Sequence, residues 1–264
     1  MSNFRYMLPN IPKTLALDFD GVLCDGLKEY FQTAWRVYRQ TWPTSNSAPP
    51  DDLAETFYRL RPVVETGWEM PVLLRAILKG FSESDILEKW KSICARIVAE
   101  EDLNPKNLGA RVDAVRDQWI ADDLNDWLKL HRFYPGVRTR LQQLMASEFT
   151  ILIITTKESR FVQQLLQQEG IQISGDDIFG KEYQRPKSET LRTLQKKCEA
   201  SIWFVEDRLS TLEVVKSYSD LSDIELFLAG WGYNTPSDRK AVAQDDRIRL
   251  LSLAQFTQDF SVWS

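Results

Sequence analysis

The most constraining feature of the sequence is a short apolar strand that ends in acidic residues. The stretch LALDFDGVLCDG (residues 15–26) alternates apolar side chains and then places Asp18 and Asp20 two residues apart, with Gly21 and Gly26 close behind. A short apolar run bounded by turn residues predicts a strand buried in a sheet. In extended chain, residues two apart point to the same side, so both carboxylates could flank one bound molecule.

After Gly26 the chain changes character for about a hundred residues. Apolar residues at helical spacing predict helices over residues 27–42, 72–80, 82–101 and 108–130. A loop-like composition separates the first two over residues 43–52, and nothing before Phe133 is typical of a strand. The pattern predicts an all-α domain inserted over residues 23–132.

From Tyr134 onward, strands and helices alternate. Together with the first strand at 14–18, the predicted strands are 149–154, 177–179, 201–205, 224–228 and 248–251. The predicted helices between them are 136–146, 159–169, 188–198, 209–218 and 237–244. This alternation predicts an α/β fold with a doubly wound parallel sheet, formed by residues 1–22 and 133–264.

Composition narrows the possible partners. The formal net charge is −5, so the chain lacks the basic surplus that nucleic-acid binding requires. No apolar run reaches membrane-spanning length and the N-terminus lacks a signal-peptide core, so a cytoplasmic protein that binds no membrane is expected. A single histidine, His131, and three cysteines without CxxC spacing leave carboxylates, Lys/Arg and hydroxyls as the catalytic candidates. The sequence does not indicate an oligomeric state.

Polar residues follow several of the predicted strands. They are Asp18 and Asp20, then Thr155, Thr156 and Lys157, and then Glu206 and Asp207, while Arg185 and Lys187 precede a helix. Ligands of parallel sheets bind beyond the carboxyl ends of the strands. The sequence therefore predicts one site at that edge, in which residues distant in the chain converge.

Four segments resemble the ordered motifs of the haloacid dehalogenase-like superfamily. They are DFDGVLCD, IITTK, RPKSETL and WFVEDRLSTL, which begin at residues 18, 153, 185 and 203. The resemblance covers roughly residues 10–26 and 132–264. It implies a Rossmann-like core with a helical cap inserted after the first motif, as in the phosphatase-type members. Residues 59–71 also resemble a segment of uncharacterised cyanobacterial and plant members.

The resemblance implies a role for each matching residue. Asp18 would attack phosphorus and form an aspartyl-phosphate, and Asp20 would serve as the general acid and base. Thr155 would hydrogen-bond the phosphate, and Lys187 would neutralise charge on the nucleophile and the phosphate. A Mg²⁺ ion would be bound by the carboxylates of Asp18 and Asp207 and by the backbone carbonyl of Asp20.

Two positions stay open at this point. The cation of the third motif could be Lys187 or Arg185, each of which fits one spacing of the motif, and the resemblance favours Lys187 because related sequences commonly have Pro-Lys there. Many members have a second acid four residues after Asp207, where this chain has Thr211. Glu206 could bind the metal directly or only through its water shell.

Asp20 limits the reaction, because dehalogenases of the superfamily expel halide without a proton and lack this second aspartate. The favoured function is a magnesium-dependent phosphomonoester hydrolase acting on a small phosphorylated metabolite. The alternatives are a sugar phosphomutase of the same superfamily and a non-catalytic binding or regulatory module.

Substrate selection is expected to involve the irregular, charged segment RLRPVVETGWEMP (residues 59–71) of the insertion. We expect Arg61 and Glu65 to face the substrate, together with Thr156 and Arg185 of the core. A structural kink held by an internal Arg–Glu pair is the alternative for this segment.

The segment GWGYNTPSD (residues 230–238) follows a predicted strand. We expect it to form a structural rim of the site rather than to take part in the chemistry.

Overall fold

The computed structural model describes residues 11–43, 48–197 and 201–263. The start of the chain, part of the predicted 43–52 loop and Cys198 at the end of a predicted helix lie outside the described residues. The chain divides into two compact units, one of residues 1–25 and 133–264 and one of residues 26–132.

Eight strands occur in the described residues. They are β1 (Thr14–Leu17), β2 (Cys24–Asp25), β3 (Arg132–Phe133), β4 (Thr150–Ile154), β5 (Ile178–Phe179), β6 (Ile202–Glu206), β7 (Glu225–Ala229) and β8 (Ile248–Leu251). Six of them form one sheet in the order β5-β4-β1-β6-β7-β8, and every neighbouring pair in it is parallel. The predicted α/β fold with a parallel sheet is confirmed.

Twelve α-helices are found in the same residues. The helical unit contains α1 (Leu27–Thr41), α2 (Leu53–Leu60), α3 (Glu69–Leu78), α4 (Glu83–Glu100), α5 (Pro105–Asp122) and α6 (Leu124–Leu128). The sheet unit contains α7 (Val137–Met145), α8 (Ser159–Gln168), α9 (Lys187–Lys197), α10 (Leu209–Lys216), α11 (Pro236–Val242) and α12 (Leu253–Phe256). None of the helices in the described residues is long and apolar enough to cross a membrane.

Strand β1 lies in the middle of the sheet, and all four of its residues are buried. Its first residue, Thr14, is in register with Thr150 of β4 on one side and Ile202 of β6 on the other. A parallel strand with neighbours on both sides and layers above and below is expected to be mostly apolar, which explains the run of Leu15, Ala16 and Leu17 that precedes Asp18.

Alternating residues of the strands pack on opposite faces of the sheet. Phe204 belongs to a core with Leu191 of α9 and Leu212 of α10. The adjacent Trp203 faces the other way and contacts the ring of Trp263 at a centroid distance of 5.6 Å. Both faces are thus covered by apolar side chains, each of which stabilises the fold by about 1.5–3 kcal/mol when fully buried. This packing holds the strand ends in fixed positions.

One helix predicted in the helical unit is wrong. The segment 108–130, predicted as one helix, is broken between α5 and α6 at Asp123, whose backbone has φ −154° and ψ 89°. The Asp123 side chain accepts a hydrogen bond from the amide of Asp126, so it caps the second helix. The prediction was wrong because aspartate competes for backbone amides and favours a helix start over a helix interior.

A buried ion pair lies inside the helical unit. Glu29 of α1 is fully buried. Its carboxylate accepts hydrogen bonds from Arg116 of α5 at 2.8 and 3.1 Å and from the hydroxyl of Thr33 at 2.7 Å. These contacts join α1 to α5 and compensate the desolvation of the carboxylate.

Candidate active site

The carboxyl ends of three adjacent strands bring the predicted site residues together. Asp18 follows β1, Thr155 follows β4, and Glu206 and Asp207 stand at the end of β6. Because β1 lies between β4 and β6, these side chains share one edge of the sheet. Asp18, Thr155, Glu206 and Asp207 are all buried.

Lys187 is the cation that contacts Asp18. It is the first residue of α9, and its Nζ lies 2.7 Å from Oδ1 of Asp18 and 2.7 Å from Oε2 of Glu206. Arg185 is exposed, and no ion pair of its guanidinium is found in the described residues. Of the two candidates for the third-motif cation, Lys187 is the one placed beside the nucleophile candidate.

Three carboxylates form a group that could hold a metal ion. Asp18, Glu206 and Asp207 each offer an oxygen, and these atoms lie within 4.8 Å of one another. Burial raises the pKa of Asp18 to about 7, and the negative charge of Glu206 adds to this effect. Burial likewise raises the pKa of Glu206 to about 7 and that of Asp207 to about 6.

The charge balance of this group favours a bound cation. Burial alone would lower the pKa of Lys187, but Asp18 and Glu206 outweigh it, and the net shift is upward, so the lysine stays charged. When all three carboxylates are ionised, the single ammonium leaves an excess of negative charge in a buried site, which a bound cation would offset. An all-oxygen donor set of this kind fits a hard divalent cation such as Mg²⁺, Mn²⁺ or Ca²⁺.

Asp207 is held by backbone groups. The amide of Tyr233 donates a hydrogen bond of 2.7 Å to its Oδ2. A Cβ atom on Gly232 would collide with the Cβ of Asp207 and with the carbonyl oxygen of Gly21. Gly21 has φ +87°, and a Cβ there would collide with Oδ2 of Asp207. The segment expected to be only a rim therefore also fixes the orientation of an acidic site residue.

Asp20 faces a lysine to which the sequence analysis gave no role. The Nζ of Lys157 lies 3.1 Å from each of its two carboxylate oxygens. One feature of the sequence could have indicated Lys157 as a site residue. It directly follows two threonines at the end of a strand, which places it at the same edge of the sheet as Asp18.

Thr155 and Thr156 differ in their surroundings. Thr155 is buried, and its Oγ1 accepts a hydrogen bond of 3.1 Å from the amide of Lys157. Thr156 is exposed. Both line a cavity of about 290 Å³, whose wall also includes Arg185, Lys187 and Tyr183. Four sequence-predicted residues of the sheet unit thus share one cavity.

The two predicted substrate contacts of the insertion have partners within the helical unit. Nη1 of Arg61 donates to the carbonyl oxygen of Val64 at 3.0 Å, and its guanidinium carbon lies 4.7 Å from the ring centroid of Tyr30. The carboxylate of Glu65 lies 3.4 Å from Nζ of Lys91. Their role toward a substrate stays a prediction.

The fold and the site define an α/β protein with buried carboxylates, a lysine and a hydroxyl at the carboxyl edge of a parallel sheet. The family model of the haloacid dehalogenase-like hydrolases matches residues 12–216. The chain belongs to this family of hydrolases, which confirms the resemblance in its sequence motifs and identifies it as a member of an enzyme family.

Individual relatives agree with this assignment. A phosphoglycolate phosphatase of Vibrio vulnificus is 40% identical over 52 residues, which is 20% of this chain and 23% of that protein. A structure described as a predicted phosphoglycolate phosphatase from Haemophilus somnus has a TM-score of 0.58 at 16% identity, covering 96% of this chain and 98% of the other. A haloacid dehalogenase-like family hydrolase from Streptococcus pneumoniae has a TM-score of 0.54 at 14% identity, covering 92% and 95%. These two structures share the fold.

Proposed function

We propose that this protein is a magnesium-dependent phosphomonoester hydrolase that acts on a small phosphorylated metabolite through an aspartyl-phosphate. The observation that carries the proposal is the contact of Lys187 with Asp18, at 2.7 Å, beside two further buried acids. Such a group can present one carboxylate oxygen to phosphorus while the lysine offsets the charge that accumulates.

Asp18 is the proposed nucleophile. It stands where the central strand ends, and Lys187 holds one of its oxygens. Phosphoryl transfer needs little covalent help from the protein beyond positioning and charge stabilisation, so a fixed carboxylate with an adjacent ammonium suits the task. In the first step an Asp18 oxygen bonds to phosphorus while the bond from phosphorus to the leaving oxygen breaks.

Asp20 and Thr155 are the proposed partners of this step. Asp20 gives a proton to the leaving oxygen and later takes one from the water that hydrolyses the aspartyl-phosphate. The hydroxyl oxygen of Thr155 already accepts from the amide of Lys157, so its proton is available to a phosphate oxygen.

The metal would be held by Asp18, Asp207 and the backbone carbonyl of Asp20, with Glu206 beside them. When bound, Mg²⁺ would supply positive charge to the nucleophile and to the phosphate oxygens. Glu206 already accepts from Lys187 and from the amide of Arg208, which suits an indirect role for this residue through the water shell.

The cavity of about 290 Å³ is lined by Thr155 and Lys187 but by none of the four site acids, so the proposal of a small substrate does not rest on its volume. The matching segment of the Vibrio vulnificus relative, named a phosphoglycolate phosphatase, makes short phosphorylated acids the first compounds to examine. Arg185, Thr156 and, in the helical unit, Arg61 and Glu65 are the proposed substrate contacts. Cytoplasmic localisation and the absence of nucleic-acid partners stay predictions from the sequence.

The test is a phosphate-release assay on short phosphorylated acids, sugar phosphates, nucleotides and an aryl phosphate, with Mg²⁺ and with EDTA. We expect Mg²⁺-dependent turnover that falls by more than about a thousandfold in Asp18→Asn. Asp246→Asn, an exposed acid of the same unit, serves as the matched control and should keep wild-type turnover.

Three outcomes would contradict the proposal. Turnover retained in Asp18→Asn would exclude the nucleophile assignment. Transfer of phosphate to a second hydroxyl instead of water would identify a phosphomutase. Absence of any turnover together with absence of Mg²⁺ binding would favour a non-catalytic module.

A further inference from the structure

The ion pair between Lys157 and Asp20 has no part in the roles assigned so far. Nζ of Lys157 is equidistant, at 3.1 Å, from both oxygens of the Asp20 carboxylate. The side chains are 9% and 15% exposed, so water competes little for either group. A charge-assisted contact to both oxygens fixes the position of the carboxylate plane more strongly than a contact to one oxygen would.

The backbone around Lys157 is anchored on both sides. Its amide donates to Oγ1 of Thr155 at 3.1 Å, and its carbonyl accepts from the amide of Lys181 at 3.0 Å. Thr155 is in turn joined to Phe179 of β5 by a backbone hydrogen bond of 3.0 Å. The lysine therefore extends from a fixed turn.

Asp20 lies in a tight turn of its own. The amides of Leu23 and Cys24 both donate to the carbonyl of Phe19 at 2.9 Å, and the amide of Gly21 donates to the carbonyl of Cys24 at 2.8 Å. These bonds fix the backbone of the turn, but they leave the side-chain torsions of Asp20 undetermined. The contact with Lys157 supplies the missing restraint.

We propose that Lys157 is a positioning residue that holds the Asp20 carboxyl group toward the leaving-group oxygen. This inference rests on the proposed phosphatase function. In the step concerned, Asp20 carries a proton on one oxygen while its other oxygen accepts from Lys157. The Asp18 oxygen bonds to phosphorus, the bond from phosphorus to the leaving oxygen breaks, and the electron pair of that bond takes the proton of Asp20, which is left as the carboxylate. Misplacement of the donor by about 1 Å can cost two orders of magnitude in rate.

The test compares two substrates whose need for a proton differs. The leaving group of an alkyl phosphate such as glycerol phosphate is an alkoxide, which needs a proton from the general acid. The leaving group of 4-nitrophenyl phosphate is a phenolate that is stable without a proton. In Lys157→Met we expect kcat/KM, which reports the cleavage of the ester bond and not the later hydrolysis of the aspartyl-phosphate, to fall about 10- to 100-fold for the alkyl ester and less than about threefold for the aryl ester. Lys157→Arg, which keeps the charge and two donors, should restore part of the alkyl-ester activity.

Lys216→Met is the matched control, because Lys216 is also ion-paired in the sheet unit, with Asp245 at 2.6 Å, but on an exposed surface. It should keep both activities. Folding of each variant is checked by its thermal unfolding midpoint.

An equal loss of kcat/KM on both esters would overturn the inference, because Lys157 would then bind the phosphate itself. Unchanged kinetics on both esters would also overturn it. If the wild-type protein hydrolyses neither these esters nor any other phosphate ester, the proposed function fails instead, which is a different result.

Discussion

The backbone amide of Tyr233 donates a hydrogen bond of 2.7 Å to Oδ2 of Asp207. The two residues belong to different loops, one after β7 and one after β6, which are adjacent strands. The contact therefore links the position of an acidic site residue to the conformation of the loop that follows the next strand. The side chain of Tyr233 extends the link, because its hydroxyl donates to Asp25 at 2.9 Å.

We expect Gly232→Ala to weaken metal binding while the protein stays folded. The added Cβ would collide with Asp207 and with the carbonyl oxygen of Gly21, so the acid must move. Titration calorimetry with Mg²⁺ should show an affinity at least about tenfold lower. Gly109→Ala, in α5, is the control: its Cβ would meet only ordinary contacts, and affinity should not change. Equal affinity in Gly232→Ala would contradict the role of this close approach.

Lys187→Met should reduce kcat by about 10²- to 10³-fold, because the charge next to Asp18 disappears. Arg185→Met should act mainly on KM, since that guanidinium lies on the exposed wall of the cavity. Steady-state kinetics on the best substrate of the panel separates the two effects. Lys196→Met, an exposed lysine later in α9, controls for loss of charge on the same helix. A larger loss of kcat in Arg185→Met than in Lys187→Met would reverse the assignment.

The stability of the metal-free protein should fall as pH rises. Burial raises the pKa of Asp18 to about 7 and that of Asp207 to about 6, from ordinary values near 3.8. The folded state therefore binds more protons than the unfolded chain between about pH 4 and pH 7, and the free energy of unfolding decreases through this window. Urea unfolding in EDTA at about pH 5 and pH 8 should show a smaller decrease in Asp18→Asn than in wild type. If the free energy of unfolding decreased equally in Asp18→Asn and in wild type, the buried Asp18 carboxyl would not be the cause of the decrease.

Arg116→Met should destabilise the helical unit by about 3 kcal/mol, because it removes the guanidinium that lies 2.8 Å from the buried carboxylate of Glu29. The double variant Glu29→Leu/Arg116→Met should recover much of that loss, since paired apolar replacement removes the buried charge. Urea denaturation followed by tryptophan fluorescence measures both. A double variant no more stable than the single one would mean that packing, not the uncompensated charge, dominates.

The parts of the fold that depend on periodicity could be predicted from the sequence. Three adjacent strands of the sheet, β4, β1 and β6, have apolar runs that require burial, and the polar residues that follow them, as at Asp18 and Asp207, mark the site edge. Helix α1 was predicted within one residue because its apolar spacing is regular. These signals depend only on residues that are close in the sequence, so they can be recognised without knowledge of the tertiary contacts.

The contacts that could not be predicted depend on how separate loops meet. No pattern in the sequence states that the amide of Tyr233 reaches Asp207, or that Lys157 reaches Asp20, because both contacts join turns far apart in the chain. The break at Asp123 was missed for a related reason: apolar residues continue at helical spacing on both sides of it. A residue whose side chain caps a helix ends the helical conformation of the backbone, but the spacing of the apolar residues continues unchanged.

The central position of β1 has a consequence for how the protein is made. Thr14 pairs with Thr150 and with Ile202, so β1 is synthesised before both of its neighbours and cannot complete its pairing until β6 has been translated. Non-local parallel pairing of this kind is slow and leaves strand edges open to association with other chains. A chaperone that shields the nascent N-terminal strand should therefore raise the yield of folded protein, and an N-terminal fragment that ends before β6 should aggregate.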